Sequence, residues 1–248
     1  MRKVIFKIYT LYINNMKTII LAGGYGTRLA EYTDKIPKPM VQVGNKPILS
    51  HIMNFYQSFG YDDFIIAAGY KKNIIIDYYK NSKEFKNLEI VDTGENTMTG
   101  GRILRLKSYF AKEENFFMTY GDGLCSVDLR KLLHFHSSHN KIATVTAVHP
   151  PVRFGELEID GDEVIKFDEK PQASAGWING GYFVLNSNVF NYIDNDTTLF
   201  EKEPMTKLFR DKNLRAYKHE DFWKCMDTLR DKMDLEKILN DKGPIWKK

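Results

Sequence analysis

A short, mainly apolar run at residues 17–21, breaking at once into LAGGYGTRL at residues 21–29, constrains this chain more than any other feature. Such a run suits a strand buried on both faces, and a strand of that kind needs helices above and below its sheet. The three glycines that follow let backbone N–H groups approach the oxygens of an anion, and Thr27 and Arg28 add a hydroxyl and a positive charge. The loop lacks the Gly-Lys-Ser/Thr ending of a P-loop and the third glycine of the dinucleotide fingerprint. Without further context a plain strand-to-helix turn remains the alternative.

Hydrophobic periodicity then alternates along the chain. Residues 47–59, 71–79, 103–110 and 129–138 carry helical spacing, while 64–68, 88–91, 116–120 and 143–148 read as strands. This rhythm predicts an α/β, single-domain, Rossmann-like architecture: a mixed, mostly parallel sheet flanked by helices. After Pro150 the pattern turns β-rich, with a hairpin over 156–159 and 164–168 about Gly161 and Asp162 and a strand at 182–185. Asp227 and Thr228 precede Leu229, Met233, Leu235 and Ile238, the signature of a capped terminal helix. No linker or repeat divides residues 16–248. Residues 1–15 read as an N-terminal extension: Met16 stands directly before the first strand and is a candidate natural start. They lack the long apolar core and small-residue cleavage site of a signal peptide.

The composition, 43% hydrophobic and 27% charged, is that of an ordinary globular domain. The net charge of +4 comes from scattered lysines, so no nucleic-acid partner is expected. No apolar run approaches the ~18 residues of a membrane span, and no membrane partner is expected. Cys125 and Cys225 have no C-x-x-C spacing, which excludes a disulfide framework or zinc knuckle and fits a reducing cytoplasm. His134, His136 and His139 cluster in sequence, but the first two fall on different helix faces and have no completing ligand nearby. His51, Phe55 and Phe59 share one helical stripe and read as core. Cys125 has no evident activating base.

Two positions carry a chemical reading of their own. Lys38 lies between Pro37 and Pro39, in a stiff extended segment that restricts where its ammonium can point; a solvent lysine in a surface turn is the alternative. Asp122 follows a strand within Gly121-Asp122-Gly123, placing a carboxylate at the edge where open α/β sheets bind ligands; it could equally be a turn former.

An ordered series of segments then carries a resemblance: LAGGYGTRL, KPM at 38–40, KPILSHIM at 46–53, DTGENTMTGGR at 92–102, YGDG at 120–123, RFGELEI at 153–159, FDEKP at 167–171, INGGYFVLN at 178–186 and FWKCMDTLRD at 222–231. From Met16 to about Trp246 the chain resembles the sugar-1-phosphate nucleotidyltransferases, and DTGENTMTGGR with the last three segments is most similar to the cytidylyl branch.

The resemblance implies the nucleotide-diphospho-sugar transferase fold, with its small β-rich portion binding sugar. It also implies a reaction of CTP with a sugar 1-phosphate, α-D-glucose 1-phosphate above all, with Mg²⁺ as cofactor in a homo-oligomer. By resemblance Leu21, Ala22, Gly23, Gly24, Gly26, Thr27 and Gly121 hold the nucleotide, Thr97, Gly100, Gly101 and Arg102 belong to a loop closing over base and phosphates, and Arg28 and Lys38 neutralise the departing pyrophosphate. Asp122 and Asp227 would be the metal ligands, though read alone Asp227 is as well explained as a helix cap. Glu169, Lys170, Asn179 and Gly180 would receive the sugar phosphate, though a solvated pair at 169–170 and a flexible glycine turn at 100–101 remain alternatives. A segment between Tyr79 and Asp92 shorter than in the cytidylyl branch keeps thymidylyl-, guanylyl- and uridylyltransfer open, as well as a nucleotide-sensing module without turnover. A nicotinamide oxidoreductase is disfavoured by the incomplete glycine fingerprint.

Overall fold

The computed structural model describes residues 16–150, 156–168 and 176–247, so residues 1–15, Arg153, Glu169 and Lys170 lie outside the described residues. The elements, in chain order, are β1 (Lys17–Ala22), α1 (Ala30–Thr33), β2 (Gln42–Val43), β3 (Lys46–Pro47), α2 (Ile48–Ser58), β4 (Asp63–Ala68) and α3 (Lys72–Tyr79). They continue with β5 (Asn87–Asp92), α4 (Thr99–Arg105), β6 (Asn115–Tyr120), β7 (Gly123–Cys125), α5 (Leu129–His139), β8 (Ala143–Val148), β9 (Glu156–Asp160) and β10 (Glu163–Asp168). The chain closes with β11 (Ile178–Asn186), α6 (Glu203–Arg210), β12 (Leu214–His219), β13 (Trp223–Cys225) and α7 (Leu229–Lys242).

Seven strands form one sheet in the order β12-β8-β11-β6-β1-β4-β5. β1 runs parallel to β4 and β6, β4 to β5 and β12 to β8, while β11 is antiparallel to both β6 and β8. The mixed, mostly parallel expectation is met.

Period-two alternation sorts the strand side chains onto two cores. Ile20, Ile66, Phe117 and Val184 face one side, with Leu49, Ile52, Met53 and Tyr56 of α2. Ile19, Leu21, Ile65, Met118 and Phe183 face the other, against Ile103 of α4 and Leu208 of α6. His51, Phe55 and Phe59 lie in or against the first core, as read from their stripe, and the His51 ring is hydrogen-bonded to Val43 O at 2.9 Å. Among the described residues no helix is long and apolar enough to cross a membrane.

The hairpin forms where expected, β9 and β10 pairing antiparallel about Gly161, whose φ is +63°. Two readings shift. The helix expected over 103–110 begins earlier, at Thr99, and gives way to a 3₁₀ turn at Lys107–Tyr109. Its first turn contains a glycine pair, Gly100 and Gly101, that propensity assigns to a loop. Helix is possible there because Gly100 N–H donates to Thr198 O at 2.9 Å and Asp196 backbone crowds Gly101. The terminal helix is capped by Thr228, not Asp227: Thr228 Oγ1 accepts from Asp231 N–H, and the Asp231 side chain accepts from Thr228 N–H in return. Asp227 is thereby left with its carboxylate free for another task.

Candidate active site

The carboxyl ends of β1 and β6 lie side by side, joined by a hydrogen bond from Gly121 N–H to Leu21 O at 3.0 Å. Because β11 runs the other way, its first residues, Ile178 to Gly181, reach the same edge of the sheet. A cleft of about 680 Å³ opens there, lined among others by Leu21, Ala22, Gly23, Gly24, Gly26, Thr27, Arg28, Lys38, Thr97, Arg102, Gly121, Asp122, Asn179, Gly180 and Asp227. One cleft therefore gathers all the described candidate residues except Gly100 and Gly101. Those two sit in the first turn of α4, where a Cβ would lie 2.7 Å from Thr198 O and 2.5 Å from Asp196 Cα respectively. Their visible task is close packing.

Asp122 and Asp227, far apart in sequence, are brought together by a two-stranded ribbon: β13 pairs with β7, setting Cys225 opposite Gly123. Met226 N–H then donates to Asp122 O at 2.8 Å. Lys38 is not in the expected extended segment: Pro37 is extended, but Lys38 starts a 3₁₀ turn, Lys38–Met40, closed by Met40 N–H to Pro37 O and Val41 N–H to Lys38 O. Its Nζ donates to Asp122 Oδ2 at 2.7 Å and Asp227 Oδ1 at 2.6 Å, and its side chain is only 7% exposed. Arg28 donates to the other oxygen of Asp227 at 2.7 Å but is 72% exposed, so it is anchored at one edge and free to meet an anion on its remaining faces.

Burial would lower the Lys38 pKa, but the charge of Asp122 and hydrogen bonds to both carboxylates hold it above its ordinary value. Burial works against Asp227 as well, and Lys38, Arg28 and the Cys225 thiol keep its carboxyl below the usual range. Both therefore stay charged at neutral pH.

The residues fit a divalent cation on their own geometry. Two carboxylates converge with the Cys225 sulfur, all three ligand atoms lying within 4.8 Å of one another, and the carboxylates already bracket a cation in the form of the Lys38 ammonium. Two carboxylate oxygens, with water and phosphate oxygens completing the shell, are a common donor set for a small hard ion.

Arg102 serves the glycine loop from behind. It is 3% exposed and donates to Gly23 O (2.8 Å), Gly94 O (2.6 Å), Thr93 Oγ1 (2.8 Å), Glu95 O (3.1 Å) and Ala68 O (3.3 Å). These hydrogen-bond acceptors are all uncharged, so its guanidinium leaves net positive potential under the loop. A Cβ on Gly23 would stand 2.2 Å from that guanidinium and would push it off these hydrogen bonds. Tyr25 OH donates to Asn96 Oδ1 at 2.7 Å, tying the glycine loop to the 93–97 segment across the cleft.

At the other end of the cleft Asn179 Oδ1 accepts from Gly181 N–H at 2.8 Å, and Asn179 Nδ2 reaches Tyr120 OH at 3.3 Å. Gly180 is needed for packing too, since a Cβ would meet Val148 Cγ1 at 2.8 Å. Sequence reasoning passed over Glu201, Trp223 and Cys225, all in the lining. Glu201 accepts from Tyr120 OH at 2.7 Å and Thr99 Oγ1 at 2.6 Å, and Trp223 Nε1 donates to Gly180 O at 2.7 Å. Trp223 and Cys225 stand beside Asp227 in FWKCMD and were legible as neighbours, whereas nothing near Glu201 in the chain marks it.

The other cysteine and the pair His136 and His139 serve structure. Cys125 is buried, with burial pushing its thiol up to about 12. His136 Nδ1 and His139 Nε2 both share hydrogen bonds with Thr144 Oγ1, at 2.9 and 2.8 Å, tying α5 to β8.

A sequence profile described as nucleotidyl transferase matches residues 17–240. The chain is 44% identical to the glucose-1-phosphate cytidylyltransferase of Salmonella typhi, over 94% of this chain and 99% of that one. It is 39% identical, over the same shares, to the probable glucose-1-phosphate cytidylyltransferase of Bacillus subtilis strain 168. Among solved structures, HddC from Yersinia pseudotuberculosis, complexed with GMP-PN, superposes with a TM-score of 0.68 at 27% identity, over 90% of this chain and 98% of that one. A UDP-glucose pyrophosphorylase complexed with UDP-glucose gives 0.71 at 20% identity, over 92% and 99%, and shares the nucleotide-diphospho-sugar transferase fold. The sheet, the glycine-lined cleft and these matches together place the chain in the nucleotidyl transferase family, as a sugar-1-phosphate nucleotidyltransferase.

Proposed function

We propose that this enzyme transfers the cytidylyl group of CTP to α-D-glucose 1-phosphate, releasing pyrophosphate and forming CDP-glucose, with Mg²⁺ as its cofactor. The observation that carries the reading is the convergence of Lys38, Arg28, Asp122 and Asp227 at the foot of the glycine-lined cleft. The choice of nucleotide and sugar rests on the 44% identity to a relative of that name.

A phosphate monoester is mostly dianionic at neutral pH, its second pKa lying near about 6, so the attacking oxygen needs no general base. What opposes reaction is repulsion between two polyanions and poor alignment, and both are removed by positioned charge. The sugar phosphate oxygen bonds to the α-phosphorus as the bond from that phosphorus to the β-phosphate bridging oxygen breaks. Pyrophosphate leaves with that electron pair. In this reading the glycine-loop N–H groups and Arg28 hold the triphosphate, and Lys38 moves its ammonium from the carboxylates toward the phosphates. Asp122 and Asp227 would hold the divalent ion, which when bound supplies charge neutralisation at the reacting phosphate. Lys170 and Glu169 are assigned to the sugar phosphate through FDEKP alone. Our reading of the assembly is a homo-oligomer, which sedimentation measures directly.

The testing experiment is a pyrophosphate-release screen of CTP, UTP, dTTP and GTP against sugar 1-phosphates. CTP with glucose 1-phosphate is expected to give the highest kcat/KM, and a preference for another pair would replace the substrate assignment while leaving the reaction class. No release with any pair would favour a sensing module.

A further inference from the structure

The sulfur of Cys225 belongs to the acidic cluster by construction of the fold. The register of β13 on β7 fixes its position opposite Gly123, one residue from Asp122. Its Sγ and one oxygen from each of Asp122 and Asp227 all lie within 4.8 Å of one another, on the wall of the cleft. A nucleophilic role is disfavoured, because burial and the charge of Asp122 push the thiol well above its ordinary pKa. A bound cation reverses that preference, since a coordinating thiol is deprotonated by the ion. Two carboxylates alone suit hard ions, and a sulfur added to them widens the site toward softer ones.

We infer that Asp122, Asp227 and Cys225 form a mixed oxygen–sulfur site that takes borderline and soft divalent cations, such as Zn²⁺, Co²⁺ or Cd²⁺, with Cys225 Sγ as a direct ligand. This rests on the reading that the two carboxylates hold a divalent ion. On a tetrahedral zinc-sized ion an oxygen and a sulfur lie roughly 3.6 Å apart. The three donors, within 4.8 Å of one another, therefore close onto such an ion with side-chain adjustments of up to about 1 Å. As the ion enters, the Lys38 ammonium leaves the carboxylates and the thiol proton passes to water. A hard ion engages the oxygens and leaves the sulfur aside, whereas a soft ion recruits all three donors and competes with the hard one.

The test uses the full metal-free chain, titrated with Cd²⁺ and Co²⁺ while sulfur-to-metal charge-transfer absorption is followed, with Mn²⁺ binding measured in parallel by electron paramagnetic resonance. Wild type is expected to give a stoichiometric charge-transfer band. Cys225→Ser removes the band and weakens Cd²⁺ binding at least about tenfold, while Mn²⁺ affinity stays within about threefold. Cys225→Ala repeats the loss, circular dichroism confirms the fold of both variants, and Cys125→Ser keeps the band. A wild type without the band, or a band that survives Cys225→Ser, overturns the proposal. If Mn²⁺ still binds in either case, only the sulfur role falls; if Mn²⁺ also fails to bind, the carboxylate site falls with it.

Discussion

At the residue scale, Lys38 is the most consequential side chain described. It holds two carboxylates that would otherwise face each other, and breaking a buried ion pair costs roughly 3–5 kcal/mol. Asp122 and Asp227 are 25% and 15% exposed, so for Lys38→Ala we expect a smaller loss of about 2 kcal/mol in metal-free protein. Urea unfolding should show that loss, and divalent ions should restore more stability to the variant than to wild type. Turnover should fall on the order of 100-fold or more. Equal stabilisation of both proteins by the ion would remove the carboxylates from the metal assignment. His136 makes a separate prediction. Burial, with the nearby His139, lowers its pKa to about 4, so the unfolded chain binds the extra proton between about 6.5 and 4 while the folded chain does not. Its neutral state contributes fully above that window, and the contribution shrinks as pH falls through it, by on the order of 3 kcal/mol at most. Unfolding free energies at pH 7.5 and 5 should therefore differ less in His136→Gln than in wild type.

At the element scale, glycines in one motif class do different jobs. Gly101 lies in the first turn of α4 with Asp196 backbone where a Cβ would go, and backbone cannot move aside cheaply. Gly101→Ala should cost about 1–3 kcal/mol in thermal or urea unfolding. Gly24 has nothing within 4 Å of an added Cβ, so Gly24→Ala should leave stability nearly unchanged and raise the nucleotide KM by crowding the loop. If Gly24→Ala destabilised as much as Gly101→Ala, the separation of packing from binding glycines would fail. The same scale explains Asp227. The element beside it is capped by Thr228 and Asp231, so the carboxylate is released to meet Lys38 and Arg28 while the helix start still fixes its backbone.

At the scale of the whole molecule, stability and function separate by region. β1, β4 and β6 are sandwiched between two apolar cores, whereas β9 and β10 form a two-stranded sheet by themselves, with Ile159, Val164 and Ile165 more than half exposed. Isolated two-stranded hairpins are marginal, so hydrogen exchange should find the β9–β10 amides exchanging first and those of β1 and β6 last. Equal protection in both would contradict this ranking. The strands of the sheet centre, most of the helices covering it and the hairpin were legible in the chain because periodicity and turn residues act locally. α6, β12 and β13 were not: β12 is an edge strand with five of its six residues only partly buried or exposed in no clear alternation, and β13 has three residues. The candidate site divides the same way. The chain alone determined the phosphate-ready glycine loop, the stiff placement of Lys38 and a carboxylate at the end of β6, since each follows from neighbouring residues. The resemblance paired Asp227 with Asp122, but only the tertiary structure decided that Cys225 joins them, that Glu201 and Trp223 line the cleft, and that Gly100 and Gly101 are closely packed. Those outcomes depend on contacts between segments far apart in the chain, the β13–β7 pairing and the packing of Gly100 on Thr198 among them, which no local pattern encodes.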